Sequence, residues 1–559
     1  MKIVIMNKIL LPLFTSLLFG NLLFSQNQTK AQTEQQILAP KLVVGIVVDQ
    51  MRYDYLTRFY NNYGEGGFKR LMNEGFNFKN NHYNYIPTYT GPGHASVYTG
   101  TSPAVHGIIA NNWYDKNLKR SVYCAEDETV NSVGTQSKAG KMSPKNMITT
   151  SITDELKIAT QMRGKVIGVA LKDRGAILPA GHAADAAYWF RGKDEGNWIT
   201  SSYYLNELPK WVQDFNNSGI VENYLNQNWE LLYDIKEYNQ SGPDKTSYEK
   251  VFKGAEEATF PYNLKQLSKD NGGFDILRTT PFGNNITTDF AIAAIESEQL
   301  GKDNITDFLA ISYSSPDYIG HDFGTNSKEV HDNYIRLDKD IERLLTYLDT
   351  YIGKDQYTLF LTADHGALHT PGFLAEANIP AGFFEYKPFV ENLKKEIKQV
   401  YNTDDLIENT SNDQVFINRE LVKSNKLSLG EVEKSIAEII LQNPLTDKVF
   451  TRAQIENRNY TNGMGYLAQN GFNQKRSGDV LFTLTPGVIS AWSKNGGTTH
   501  GSGYTYDTHV PLLFFGNGIK KGSTVNKSEI TDIAPTLSVL LGISFPNGST
   551  GKVLTELFE

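Results

Sequence analysis

"LVVGIVVD" fills residues 42–49, seven apolar or glycine positions in a row closed by an aspartate. A strand with one wet face alternates apolar and polar residues; this one does not, so both faces are buried, as in the interior of a mostly parallel sheet. Four further runs share the form: "VIGVAL" (166–171), "DFLAISYS" (307–314), "YTLFLTAD" (357–364) and "VPLLFFG" (510–516). Between them lie helical spacings. Leu337, Ile341, Leu344, Leu345 and Leu348 recur at i, i+4, i+7, i+8 and i+11, and Val432, Ile436, Ile439 and Ile440 behave alike. The pattern predicts an α/β fold, a mostly parallel central sheet with helices on both faces. Residues 41–559 read as one catalytic domain with inserted cap segments near 181–285 and 370–495, which are rich in Tyr, Trp, Asn and Gly.

Upstream of the first run, Lys2 and Lys8 precede an apolar stretch over Ile9–Phe24 and the small Ser25. That is the form of a secretory signal at residues 1–25, too short and too interrupted for a retained span. Residues 26–40 form a polar tether. The expectation is an exported protein, periplasmic or secreted, with no stable membrane anchor after cleavage, and a monomer. A net charge of −8, from 54 basic and 62 acidic residues, lacks the basic face of a nucleic-acid binder. The single cysteine, Cys124, forbids an intramolecular disulfide and reads as a small buried hydrophobe.

In open α/β sheets ligands bind beyond the carboxyl ends of the strands. The residues that follow the runs are therefore decisive. They are Asp49, then Lys172 and Arg174 in "LKDRG", Asp317 and His321 in "PDYIGHDFG", Asp364 and His365 in "ADHG", and His500 in "GGTTHGSG" before the last strand. Alone, each has an ordinary explanation as a cap or turn residue. Together, three Asp and three His at one sheet edge exceed one tetrahedral ion and suit two. Imidazole and carboxylate without thiolate favour zinc. Two such ions would clamp the attacking and leaving oxygens of a phosphoryl displacement.

That chemistry needs a nucleophile, and "PTYTGPGH" (87–94) offers Thr88 and Thr90. Pro92 suits a first helical turn, Gly91 and Gly93 allow close backbone approach, and a helix N-terminus attracts an anion. Thr90, at the expected helix start, is the candidate nucleophile.

"VVDQMRYD", "PTYTGPGH", "PDYIGHDFG", "TADHG", "GTTHGSG" and "TDIAPTL" together resemble the alkaline phosphatase superfamily, in particular its flavobacterial phosphate-irrepressible (PafA-type) branch. The resemblance runs from about Lys41 to the C-terminus and implies an alkaline-phosphatase-like fold with two Zn2+ ions. One site would take Asp317, His321 and His500; the other Asp49, Asp364, His365 and the Thr90 oxygen. Asn111 in "IIANNWYD" would donate to a phosphate oxygen, with Asn112 as its competitor, and Lys172 and Arg174 would contact the non-bridging oxygens. Gly91-Pro92 departs from the bulkier residues expected there. His94, His106 and His369 match no ligand position and read as supporting groups.

Several reactions share this scaffold. A sulfatase would carry Cys or Ser in a Cys-x-Pro-x-Arg setting, and a binding protein without turnover would lack a ligand. The nearest rival is a nucleotide pyrophosphatase/phosphodiesterase. A monoester brings about two negative charges and a diester one, so two cations at one strand end point to small-molecule phosphate monoesters. The expected mechanism is a covalent phosphothreonine followed by release of inorganic phosphate.

Overall fold

The computed structural model describes residues 39–558, so the expected leader and all but the last two residues of the tether lie outside the described residues. The centre is a ten-stranded sheet. In chain order its strands are β1 (Leu42–Val48), β2 (Phe76–Phe78), β3 (Ser132–Val133), β4 (Val166–Ala170), β5 (Ala186–Arg191), β6 (Asn197–Ser201), β7 (Asp307–Tyr313), β8 (Tyr357–Thr362), β9 (Leu512–Gly516) and β10 (Gly522–Thr524). Their order across the sheet is β10-β2-β9-β8-β1-β7-β4-β5-β6-β3. The five strands β8, β1, β7, β4 and β5 run parallel. β9 lies antiparallel to β8, and β6 to β5.

All seven residues of β1 are buried, as are all of β4, β7 and β8. The continuous apolar runs thus form the inner strands, where neither face meets water. β9 is equally apolar although antiparallel. Burial, not direction, dictates its composition.

Five helices flank the sheet or its loops and concern the site: α1 (Thr90–Thr99), α2 (Asp173–Ala180), α3 (Phe282–Ser297), α4 (Ser315–Phe323) and α5 (Lys328–Leu348). Leu337, Ile341, Leu344, Leu345 and Leu348 on α5 are fully buried, as their spacing predicts. Residues 186–201 of the first stretch expected as an insertion run as β5 and β6 of the central sheet. Within 370–495 a separate four-stranded sheet forms from Ile407–Ser411, Gln414–Ile417, Val480–Leu484 and Thr446–Thr451. Helices Tyr386–Tyr401 and Leu429–Leu441 bring Leu393, Ile397, Val432, Ile436 and Ile440 into the apolar core of that sheet. Its first hairpin turns on Asn412 and Asp413, with φ of 53° and 57°, the left-handed pair that a two-residue turn requires.

Candidate metal and phosphate site

Each parallel strand delivers its next residue to one edge of the sheet. Asp49 leaves β1 with its N–H donating to the Tyr313 carbonyl at the end of β7 (3.0 Å). Asp364 and His365 follow β8. One turn of α4 places Asp317 and His321 four apart, with His321 Nε2 3.1 Å from Asp317 Oδ1. His500 arrives on the loop before β9, its Nε2 3.6 Å from the same oxygen. Donor atoms of Asp317, His365 and His500 lie within 4.8 Å of one another, and so do those of Asp49, Asp364 and His365. The six expected ligands therefore converge, with His365 between the two groups. Its ring stacks on His500, centroids 3.4 Å apart.

Each of the three imidazoles is oriented by a backbone carbonyl. Nδ1 of His321 meets Thr498 O (2.8 Å), Nδ1 of His365 meets Gly366 O (3.0 Å), and Nδ1 of His500 meets Thr88 O (2.7 Å). A carbonyl only accepts, so Nδ1 carries the hydrogen and Nε2 is left to bind a metal. Burial, then His500, holds His365 well below the usual histidine range, and burial brings His500 down to about 3. Burial opposes the charge on His321 as well, but Asp317 outweighs it and raises that ring.

The carboxylates carry the complementary signal. Asp49 is pushed up by burial and then by Asp317; Asp364 is pushed up by burial and then by Asp49. Burial acts on Asp317 too, yet His321 and Lys172 overcome it and hold that carboxyl well below its ordinary value. Asp49 Oδ1, Asp364 Oδ2 and His365 Nε2 are buried without a hydrogen-bond partner. Buried carboxylate oxygens left without a partner are costly, and a bound divalent cation removes that cost. The donor set fits metal.

Thr90 opens α1, with Tyr89 as its N-cap, and its side chain is buried. Thr88 instead donates through Oγ1 to Ser502 O (2.9 Å). Asn111 Oδ1 accepts from the Gly91 N–H at 2.7 Å, which sets its amide beside Thr90, whereas Asn112 is exposed at the start of the strand Asn112–Asp115. A β-carbon on Gly91 would sit 3.1 Å from that Asn111 oxygen and 3.2 Å from Cys124 Sγ, so the small residue keeps the contact. His94, buried, spans Thr90 O and Ser312 Oγ at 2.9 Å each.

Lys172 and Arg174 reach the cluster from the start of a helix rather than from the end of a strand. β4 ends at Ala170; Lys172 caps α2 and Arg174 lies in its first turn. Lys172 Nζ is 2.5 Å from Asp49 Oδ2 and 2.5 Å from Asp317 Oδ2. Burial disfavours its charge, but Asp317 and Asp49 more than offset this and raise it. Arg174 Nη2 lies 3.5 Å from Thr90 Oγ1, and Nη1 donates to Tyr123 Oη at 3.2 Å. Tyr123 in turn donates to Asp173.

Sequence reasoning missed Gln50. Its N–H donates to Asp364 Oδ1 (3.0 Å) and its Nε2 to Asp317 Oδ1 (2.6 Å), tying the two ligand groups together. This needs φ of +63° at a non-glycine residue, and nothing in the letters "VVDQ" announces it. Tyr123, which props Arg174, was equally invisible because its strand lies outside the sheet.

The sequence matches the family described as type I phosphodiesterase / nucleotide pyrophosphatase over residues 43–507. It is 45% identical over 527 residues to a protein of Myroides odoratus named calcium-transporting ATPase, covering 94% of this chain and 96% of that one. It is 45% identical over 533 residues to alkaline phosphatase PafA of Elizabethkingia meningoseptica, again covering 94% and 96%. The crystal structure of wild-type alkaline phosphatase PafA superposes with a TM-score of 0.90 at 44% identity, covering 93% of this chain and 99% of that one.

Proposed function

The chain belongs to the type I phosphodiesterase / nucleotide pyrophosphatase family and is an alkaline phosphatase, and we propose that it cleaves phosphate monoesters through a phosphothreonine at Thr90, with two zinc ions as its metals. The observation that carries this reading is the approach of Arg174 to Thr90 Oγ1 at the edge of the converging Asp/His cluster.

Asp317, His321 and His500 would hold one ion, and Asp49, Asp364 and His365 with the Thr90 oxygen the other. When bound, the ions supply Lewis-acid charge for the entering and leaving oxygens. Thr90 Oγ1 loses its proton and attacks phosphorus; the bond from phosphorus to the alcohol oxygen breaks, and that oxygen takes a proton. Water then attacks the phosphothreonine and releases inorganic phosphate, returning the proton to Thr90. Arg174 and the Asn111 amide hold the non-bridging oxygens, and Lys172 adds positive charge between the two carboxylates. Three Asp and three His without thiolate support zinc. Export rests on the leader pattern at residues 1–25.

A diesterase reading has the same fold and nucleophile. Arg174, half-buried beside Thr90, and Lys172, buried between Asp49 and Asp317, favour the more highly charged monoester. As for the name carried by the Myroides relative, among the described residues no helix is long and apolar enough to cross a membrane. Turnover of a phosphate monoester beside a matched diester by purified protein tests the reading; preference for the diester would overturn it.

A further inference from the structure

Beside the cluster the protein keeps a cavity of about 360 Å3 that the reaction as described leaves without a task. His321, His500 and Asn111 form its inner wall; the opposite wall comes from the lobe at 370–495. We infer that this cavity seats the alcohol half of the ester and selects uncharged, ring-bearing alcohols, aromatic or sugar-based. The inference rests on the phosphatase reading above and deepens it.

Position comes first. A phosphoryl group held by Arg174 and Asn111 must direct its ester oxygen away from Thr90 for in-line displacement. His321 and His500, two residues of the group assigned to the ion at the leaving oxygen, line the cavity, whereas Thr90 is not among its lining residues. The volume is that of a small-molecule pocket rather than a water channel.

Chemistry comes second. Tyr89, Tyr386, Trp492 and Tyr504 present rings to the space. Trp492 is 59% exposed, with its ring centroid 5.3 Å from that of His321. An indole held open to solvent at the rim of a charged cluster gains little from its own packing, but offers a flat face for a ring to stack on. The exposed Asn112 amide and the Asn412 amide oxygen line the same space and can take hydrogen bonds to hydroxyl or ring heteroatoms. The wall is also fixed in place. Asn412 Nδ2 donates to the Asn112 carbonyl (2.7 Å) and Tyr386 Oη donates to Asp413, so the hairpin turn of the lobe is fastened next to Asn111.

Charge comes third. Among the described residues, those lining the cavity include Asp413 and Asp507 but neither lysine nor arginine. An alcohol half bearing a phosphate of its own would meet carboxylates there with no cation to pair with.

The test compares methyl phosphate, which has nothing to place in the cavity, with phenyl phosphate and adenosine 5′-monophosphate. Two variants suit it: Trp492→Ala, at an exposed position, and Asn412→Gly, which keeps the left-handed turn. Stacking and single hydrogen bonds predict a loss of roughly three- to tenfold in kcat/KM for the two ring substrates, with methyl phosphate changed by less than about twofold. Calorimetry should find adenosine binding to the wild type and weaker binding to both variants. Equal losses on all three substrates, or none on the ring substrates, would overturn the inference. Wild type that fails on methyl phosphate as well would overturn the phosphatase reading instead.

Discussion

The α-carbon of Gly93 lies against the backbone of Asp364 so closely that a β-carbon there would come within 2.4 Å of the Asp364 carbonyl oxygen. The helix that starts with Thr90 and the strand exit that carries Asp364 and His365 thus meet backbone to backbone. Gly93→Ala must push them apart, at a cost of about 1–3 kcal/mol in packing. Its melting temperature should fall and its metal content and turnover should drop together. Gly430→Ala is the control: nothing stands within 4 Å of a β-carbon there, on an exposed helix position, and the change should be neutral or stabilising by about 0.5–1 kcal/mol.

Thr90→Ala should lose most turnover, and Thr90→Ser should keep part of it, because a primary hydroxyl replaces the secondary one in the same place. Acid-quenched turnover followed by peptide mapping should find phosphate on Thr90. Label on Thr88, whose hydroxyl is engaged with Ser502, would contradict the assignment.

Arg174→Ala should cost about tenfold to a hundredfold in monoester kcat/KM and less with a diester, since charge-assisted contacts are worth ~1.5–3 kcal/mol. Lys172→Ala is the less clean variant. It leaves Asp49 and Asp317 facing each other without their shared cation, so metal content should change along with rate. Equal losses by Arg174→Ala on both ester classes would assign the guanidinium to general positioning.

Elemental analysis of protein purified without chelator should give about two zinc ions per chain. Chelator treatment should remove activity and lower the melting temperature, because the buried Asp49, Asp364 and His365 atoms then lack partners. An active, metal-free protein would sink the zinc assignment. His500→Ala should lower zinc to about one per chain while the fold persists.

Away from the site, Asp154 closes a capping box with Ser151 and meets His182 Nδ1 at 3.0 Å. Burial pushes its carboxyl up, but the His182 hydrogen bond and charge outweigh this and hold it below its ordinary 3.8. A depressed carboxyl stabilises the fold above its unfolded value, and that stability fades as pH falls through the folded one. Asp154→Asn should therefore melt lower than wild type at pH 7. The gap should narrow below about pH 4, as Asp154 takes a proton, and also at the alkaline side, as His182, which Asp154 raises, gives its proton up. A gap independent of pH would make the loss one of shape rather than charge.

The inner strands and the Asp and His residues that converge at the sheet edge were legible for one reason. Burial on both faces writes itself as an unbroken apolar run, and the residue ending each run stands at the sheet edge. Asp49, Asp364 and His365 follow directly from that rule, and Asp317 with His321 needs only the helical spacing of four. β5 and β6 were hidden because "AAYWFR" and "NWITS" bury aromatic residues near an edge of the sheet, where the apolar run is short and mixed. Lys172 and Arg174 were read as following a strand end, but the chain turns into α2 first and they reach the cluster from the start of that helix. Gln50 and the carbonyls behind His321 and His500 depend on contacts more than 170 residues apart, and Tyr123 on one about 50 apart, which no local pattern encodes.

The ends of the central sheet are its shortest strands, two residues at Ser132–Val133 and three at Gly522–Thr524. Unpaired backbone along an outermost strand acts as a template on which other chains can add. A sheet this wide, with a buried centre rich in valine, isoleucine, leucine and phenylalanine, would be a hazard if its apolar strands stood outermost. Here those strands are flanked on both sides, and each boundary offers a stranger only a few residues to zip onto. The width that gathers the ligands is thereby kept from becoming a seed for fibres.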